Sequence, residues 1–178
     1  MKKLLYLSSI LFLFANCSDN TMNSILVDGA TFVRTNYVLE VPVDVNGDGV
    51  FSNDVLTELD CGADYMIFQP GETVSNPTFH GFGLQVDDDG NGNLSQSMSC
   101  GIGDGLLPSY RQVDFEVFLM YGDEIELTGE LSNDGTKIEF RVPRSKLIGL
   151  SLSGGDILNQ NGTVTNYDGD AIITYTRQ

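Results

Sequence analysis

The chain has 178 residues, with 25 acidic side chains against 9 basic ones, a single histidine, no tryptophan and a formal charge of −16. That balance excludes nucleic acid as a partner, because phosphate binding needs clustered Lys and Arg. It also excludes an anionic membrane surface as an electrostatic partner, and it favours solubility and cation binding.

Residues 1–16 read as a targeting segment. Lys2 and Lys3 form a basic head, and Leu4 to Ala15 form an apolar run of secretory length. The run is shorter than the roughly 20 residues a membrane-spanning helix takes. Phe14-Ala15-Asn16-Cys17 resembles the cleavage box of a bacterial lipoprotein signal. Cleavage before Cys17 is expected, with diacylglycerol on its sulfur and acyl chains such as palmitate anchoring the protein to the bilayer. The expected address is the bacterial outer membrane, on its periplasmic or its outer face. Residues 17–24 then form a polar tether, and residues 25–178 the folded domain. Loss of residues 1–16 removes two lysines and no acid, so the charge of −16 becomes −18. About 155 residues remain after the tether, enough for one domain with one core. Abundant Gly, Asn, Ser and Thr, recurrent turn signals and no long heptads mark an all-β domain.

Along that domain, Thr31 to Val43 alternates cleanly. The pattern predicts a long strand with Thr31, Val33, Thr35, Tyr37, Leu39, Val41 and Val43 on one face, and Arg34, Asn36 and Glu40 on the other. After the loop Asp44 to Asp54, Ser52 or Asn53 can cap a short helix over Asp54 to Leu59. Tyr65 to Gln69 reads as a strand ended by Pro70-Gly71. His80 to Val86 and Leu94 to Cys100 flank Asp87 to Asn93 as a hairpin. Gln112 to Tyr121 reads as one strand, with Val113, Phe115, Val117 and Leu119 sharing a face. Two strands then flank Asn133-Asp134-Gly135. A four-residue loop, Ser132 to Gly135, is preferred there because it sets Glu130 opposite Lys137 and Glu126 opposite Arg141. A two-residue loop would set Glu130 opposite Glu139. Residues 144 to 160 are ambiguous, with a strand around Leu147 to Leu152 as one reading. Ala171 to Thr176 closes the chain. About eight to nine strands joined by short turns, with one short helix after the first, predict an antiparallel up-and-down β-barrel. A two-sheet β-sandwich is the alternative, and periodicity does not separate the two.

Cys61 and Cys100 are an even pair in an exported chain, which predicts a disulfide. Asp44 opens a stretch with calcium-loop spacing. Such loops take oxygens at positions 1, 3 and 5, a carbonyl at 7 and a carboxylate at 12, with Gly at 6. Counting from Asp44 gives Asn46, Asp48, Gly49 and the carbonyl of Val50. Val55 falls where the closing carboxylate belongs, so Asp54 or Glu58 must swing in to replace it. The same residues also suit an Asx-rich turn that bonds its own backbone, and both readings stand at this level. Asp87 to Asn93 has acids and glycines but no distal carboxylate, and reads as a solvated hairpin tip.

Val43 to Cys61, VDVNGDGVFSNDVLTELDC, resembles a signature of lipocalin-like lipoproteins of Flavobacteria and related bacteria. In that group a strand leads into a D-x-N-x-D-G loop, a short helix and a Cys. Asp54-Val55-Leu56-Thr57-Glu58-Leu59 and Cys61 match that helix and Cys. Gly129 to Phe140 is similar to the group's late hairpin. The resemblance implies an exported barrel of lipocalin type, and it implies no particular ligand. The Gly-x-Trp of true lipocalins is missing.

No G-x-S-x-G, H-E-x-x-H or C-x-x-C occurs, and His80 lies on the apolar face with Phe82 and Leu84. The chain is therefore not expected to be an enzyme. The first expected function is binding of a small apolar or amphipathic ligand in a cavity lined by Tyr37, Leu39, Phe115, Val117, Leu127 and Phe140. The alternative is a structural or protein-interaction lipoprotein of the cell envelope, stabilised by Ca²⁺. A carbohydrate-binding module is a third reading, against which the absence of Trp weighs.

Overall fold

In the computed structural model, residues 26–75, 79–103, 109–146 and 155–178 are described. Among these residues thirteen strands and one α-helical turn follow in chain order: β1 Thr31–Val43, β2 Ser52–Asp54, α1 Val55–Glu58, β3 Tyr65–Gln69, β4 Thr73–Ser75, β5 Phe79–Asp88, β6 Leu94–Gly103, β7 Ser109–Val113, β8 Glu116–Tyr121, β9 Glu124–Leu131, β10 Lys137–Val142, β11 Asp156–Leu158, β12 Val164–Asn166 and β13 Ala171–Arg177. Eight of them form one antiparallel sheet in the order β1-β3-β4-β7-β8-β9-β10-β13, and β13 pairs with β1 to close it. The fold is thus the expected up-and-down barrel and not the sandwich. Closure removes the sheet edges that an open meander would expose. β2 adds to the outside of β1 as an extra strand.

The meander gives the barrel two unlike ends. The short turns β3–β4, β7–β8 and β9–β10 lie at the end where β1 starts and β13 finishes. The long connections leave from the other end: residues 44–64 with β2 and α1, the β5–β6 hairpin, and the β11–β12 hairpin. Neither hairpin joins the barrel sheet. These three excursions are bonded to one another. Cys61 and Cys100 form the expected disulfide between the first and second. The Gln96 amide bridges the two hairpins, donating to Gln85 O and Asp156 O at 2.9 and 3.1 Å and accepting from Leu158 N at 2.8 Å.

At the opposite end the segment before β1 crosses the barrel and plugs it. Val27 is 0% exposed. Its N–H donates to Gln112 Oε1 at 2.9 Å, and its carbonyl accepts from Ala30 N at 2.9 Å. Between the plug and mid-barrel, Phe32, Phe68 and Tyr110 pack edge to face at centroid distances of 5.7 and 4.9 Å. Phe140 and Tyr175 do the same at 6.1 Å. Gly129 faces Phe140 and Ile138 so closely that an added Cβ would lie 2.5 Å from the Phe140 ring.

Several sequence expectations are corrected. In β1 the inward face is Phe32 and Arg34, then Tyr37 and Leu39. The register against β13 runs Arg34↔Tyr175 and then Asn36↔Thr174, so Thr35 is an extra residue. This bulge swaps the faces, as one inserted residue must. Arg34, expected outside, is therefore buried inside. Gln112 to Tyr121 is not one strand, since β7 and β8 meet at a two-residue turn, Asp114-Phe115, with Val113 opposite Glu116. Asp114 takes φ 52°, a left-handed conformation that Asp tolerates. The β9–β10 register sets Glu130 opposite Glu139, contrary to the preferred pairing. The turn itself explains the choice. Ser132 Oγ accepts from Thr136 N and Lys137 N at 3.1 and 2.9 Å, and the Asp134 carboxylate accepts from the Ser132 and Thr136 hydroxyls at 2.6 and 2.8 Å. These bonds hold the Asp134 carboxyl down near a pKa of about 2, and they outweigh cross-strand charge pairs worth about 0.2–1 kcal/mol each. Arg144–Lys146 is a 3₁₀ turn and β11 follows at Asp156. The strand expected around Leu147 to Leu152 lies outside the described residues, as do Cys17 and its tether.

Candidate functional site

The Asp44 loop is built where β1 leaves the barrel. Val43 is buried and fixes the strand's end, so Asp44 is presented at the loop-bearing rim. Its two carboxylate oxygens accept from Gly47 N at 2.8 Å and Gly49 N at 2.9 Å. Asn46 Oδ1 accepts from Asp48 N at 2.9 Å, and Asp48 Oδ1 from Val50 N at 2.7 Å. Gly47 and Gly49 take φ of 74° and 85°, which lets the loop wrap round the carboxylates. The Asx-turn reading is therefore realised in full.

The loop also gathers carboxylates. One oxygen each from Asp44, Asp48 and Glu58 lies within 4.8 Å of the others. Glu58 comes from α1 and is 7% exposed, and its Oε2 accepts from Val45 N at 3.4 Å. Asp54 is not among them. It is the N-cap of α1, accepting from Leu56 N at 3.1 Å, and it also accepts from Tyr37 N at 3.0 Å and Asn36 Nδ2 at 2.7 Å. The expected caps Ser52 and Asn53 instead bond elsewhere: Ser52 Oγ accepts from Asp54 N and Asn53 donates to Leu39 O, at 3.1 and 2.9 Å. Asn46 Oδ1 holds a turn bond like those of Asp44 and Asp48, and the clustered carboxylates include neither Asn46 nor the Val50 carbonyl.

Three hard oxygens in this arrangement fit Ca²⁺. At Ca–O distances of 2.3–2.6 Å, two oxygens on one ion stand at most about 5 Å apart. A carboxylate oxygen that already accepts one N–H keeps a second lone pair for a cation. The arrangement can bind a cation.

The residues expected to line a cavity are divided. Tyr37, Leu39, Val117 and Phe140 are buried within the core, and Leu127 is half-buried against it. Phe115 is 39% exposed on the β7–β8 turn, outside the barrel and at the plugged end. The parity flip of a two-residue hairpin, Val113 opposite Glu116, puts it there.

A polar group that the sequence reading missed sits inside. Arg34 Nη1 and Asp64 Oδ2 pair at 3.1 Å with side chains 3% and 1% exposed. The Tyr175 hydroxyl donates to the same Asp64 oxygen at 3.0 Å, and the Arg34 guanidinium lies 5.9 Å from the Tyr37 ring centroid. Burial pushes the Tyr37 and Tyr175 phenols well above their ordinary pKa. Nearby Arg34 opposes this at both, while Asp64 adds to it at Tyr175. The missed signal was a lone Arg within an apolar strand, followed by an Asp opening the next.

The Asp87 to Asn93 tip satisfies itself. Asp89 accepts from Asn91 N, Asn93 N and Asn93 Nδ2 at 2.8, 3.1 and 2.7 Å, and these donors, the Asn93 side chain first, hold its carboxyl below the usual range. The His80 side chain lies outside the described residues. Compared with protein-family models, curated proteins and solved structures, the chain matches none.

Proposed function

We propose that this protein is an exported, lipid-anchored barrel of the lipocalin-like lipoprotein kind. It works without catalysis, presenting its loop-bearing end to a partner in the cell envelope. The supporting observation is the division of the barrel. Three excursions are tied together at one end by the Cys61–Cys100 bridge and the Gln96 amide. Aromatic side chains and the Arg34–Asp64 pair are meanwhile buried at mid-height. Ca²⁺ held by Asp44, Asp48 and Glu58 would stiffen the first excursion by offsetting three clustered negative charges.

A second reading is a small apolar or amphipathic ligand seated at the mouth. Half-buried Leu127 and Ile173, packed against the core, favour it. Protein recovered from its own membranes and analysed by native mass spectrometry separates the two. A co-purifying protein supports the first, and a retained small molecule the second.

Calcium is tested by melting. A concentration 100 times Kd stabilises by about 2.7 kcal/mol, or roughly 5–10 °C for a domain of this size. Asp48→Ala and Glu58→Gln are expected to abolish the shift. Asp54→Asn is expected to lower the starting Tm and leave the shift in place. No shift at millimolar Ca²⁺ would leave only the turn. Cys17→Ser is expected to move the protein from the membrane to the soluble fraction, and retention in the membrane would count against the lipid anchor.

A further inference from the structure

The plugged end carries a surface of its own. Leu26, at the outer side of the plug, is 55% exposed, and Val113 and Phe115 in the β7–β8 turn are 48% and 39% exposed. They meet at one face: Val27, next to Leu26, is bonded to Gln112, next to Val113. Beside them is a groove of about 220 Å³ lined by Leu26, Asp28, Glu72 and Arg111, among others. Asp28 is held in place by the Tyr110 hydroxyl at 3.1 Å. Isolated exposed apolar side chains are ordinary. Here Leu26 lines a groove of mixed charge and Val113 and Phe115 lie beside it, at the point where the chain enters.

We propose that this end is a membrane-contact face that seats on a zwitterionic bilayer of the phosphatidylethanolamine type. The inference rests on the reading of Cys17 as the lipid anchor. Chain length supplies the geometry. Residues 18–25 separate Cys17 from Leu26, a reach of about 30 Å when fully extended. The chain enters the barrel at the plugged end, where β1 starts, so the tether joins the anchor directly to that end and must run the length of the barrel to bring the other end to the bilayer.

The charges select the lipid. Asp28 and Glu72 offer carboxylates to an ammonium, and Arg111 offers a guanidinium to the phosphate beside it. Asp114, Glu116 and Asp134 are exposed round the same end and repel a uniformly anionic surface. Leu26, Val113 and Phe115 enter at the headgroup–acyl boundary, where partly apolar rims gain most.

The absence of tryptophan makes the test clean. The full chain, produced with its leader, is reconstituted in phosphatidylethanolamine/phosphatidylcholine vesicles containing brominated acyl chains. Single reporters are Phe115→Trp at the plugged end and Tyr121→Trp at the other. The Trp at 115 is expected to shift to the blue and to be quenched several-fold more than the Trp at 121. Adding Leu26→Glu and Val113→Glu is expected to remove the difference with Tm unchanged, and replacing phosphatidylethanolamine by phosphatidylglycerol to weaken it. Equal quenching at both positions, or none at 115, overturns the proposal. The mass of the N-terminal peptide reports acylation separately. If Cys17 is not acylated the anchor reading falls, and the face is then judged by flotation of the unacylated chain with the same vesicles. Co-flotation sustains it and its absence removes it.

Discussion

Removing one charge from the interior of the barrel is expected to destabilise it more than removing both. Arg34 and Asp64 are paired at 3.1 Å with side chains 3% and 1% exposed. Breaking a buried pair by neutralising one partner strands the other and costs about 3–5 kcal/mol. At about 2–4 °C per kcal/mol for a domain of this size, Asp64→Asn and Arg34→Met should each lower Tm by roughly 6–20 °C. The double replacement Arg34→Met/Asp64→Leu removes both charges and leaves the Tyr175 hydroxyl without its Asp64 acceptor, a loss of about 1–3 kcal/mol. Adding Tyr175→Phe removes that hydroxyl too, and stability should then move back towards the wild type. The coupling between the two sites should therefore reach about 2 kcal/mol or more.

Urea unfolding of the mature chain, followed by circular dichroism, gives each term of this cycle. An independent pH signature accompanies it. In Arg34→Met the stranded Asp64 carboxyl favours its neutral form, so its folded pKa rises above the unfolded value. Stability is then fully present below about pH 4 and lost as pH rises through the folded pKa. Arg34→Met should therefore close part of its gap to the wild type in acid, while Asp64→Asn should not. Single variants that cost less than about 1 kcal/mol, or a double variant that loses the sum of the two, would refute the reasoning.

Burial raises the Tyr37, Tyr167 and Tyr175 phenols, and burial with the Asp28 hydrogen bond pushes Tyr110 up to about 12. Their folded pKa values exceed the unfolded one, so the stability they contribute is intact below about pH 10 and lost above it. Absorbance at 295 nm should show these phenols silent until the barrel opens in alkali, and smooth titration from pH 10 in folded protein would contradict this. The Cys61–Cys100 bridge spans 39 residues, for which chain entropy gives about 4 kcal/mol. Urea midpoints with and without reductant measure it, and no change would place the constraint elsewhere. Gly129→Ala would put a Cβ 2.5 Å from Phe140 and 2.8 Å from Ile138. It should destabilise by about 1–3 kcal/mol through overpacking, and a neutral result would mean that the two side chains yield freely.

The alternating strands made the barrel legible, and the places where they misled share one cause: a change of parity that no side chain announces. Thr31, Val33 and Thr35 suit an inward face as well as Phe32 does, so nothing before Tyr37 marks Thr35 as an extra residue. Extending the odd-numbered face of Val117 and Leu119 backwards puts Phe115 and Val113 inside. The two-residue turn at Asp114-Phe115 flips parity, and Tyr110 is the residue that enters the core. At Asn133-Asp134-Gly135 the spacing marks the turn but not the charge pairing, because the bonds within the turn decide the register.

The candidate metal loop is a different case. Spacing alone names Asp44 and Asp48, because a tight loop fixes which side chains converge, and the structure gathers both. For the closing carboxylate spacing leaves Asp54 and Glu58 open, because a strand, a loop and a single helical turn follow each other here and the count along a helix–loop–helix does not apply. Asp54 is consumed as the cap of α1 and as an acceptor for Tyr37 N and Asn36. Glu58 stands one helical turn further on, and residues four apart share a face, so it points back at Asp44 and Asp48. Had Ser52 or Asn53 capped the helix, Asp54 would have been free to close the loop. Choosing the cap and choosing the ligand are one decision, and the hydrogen bonds of Asp54 to β1 make it.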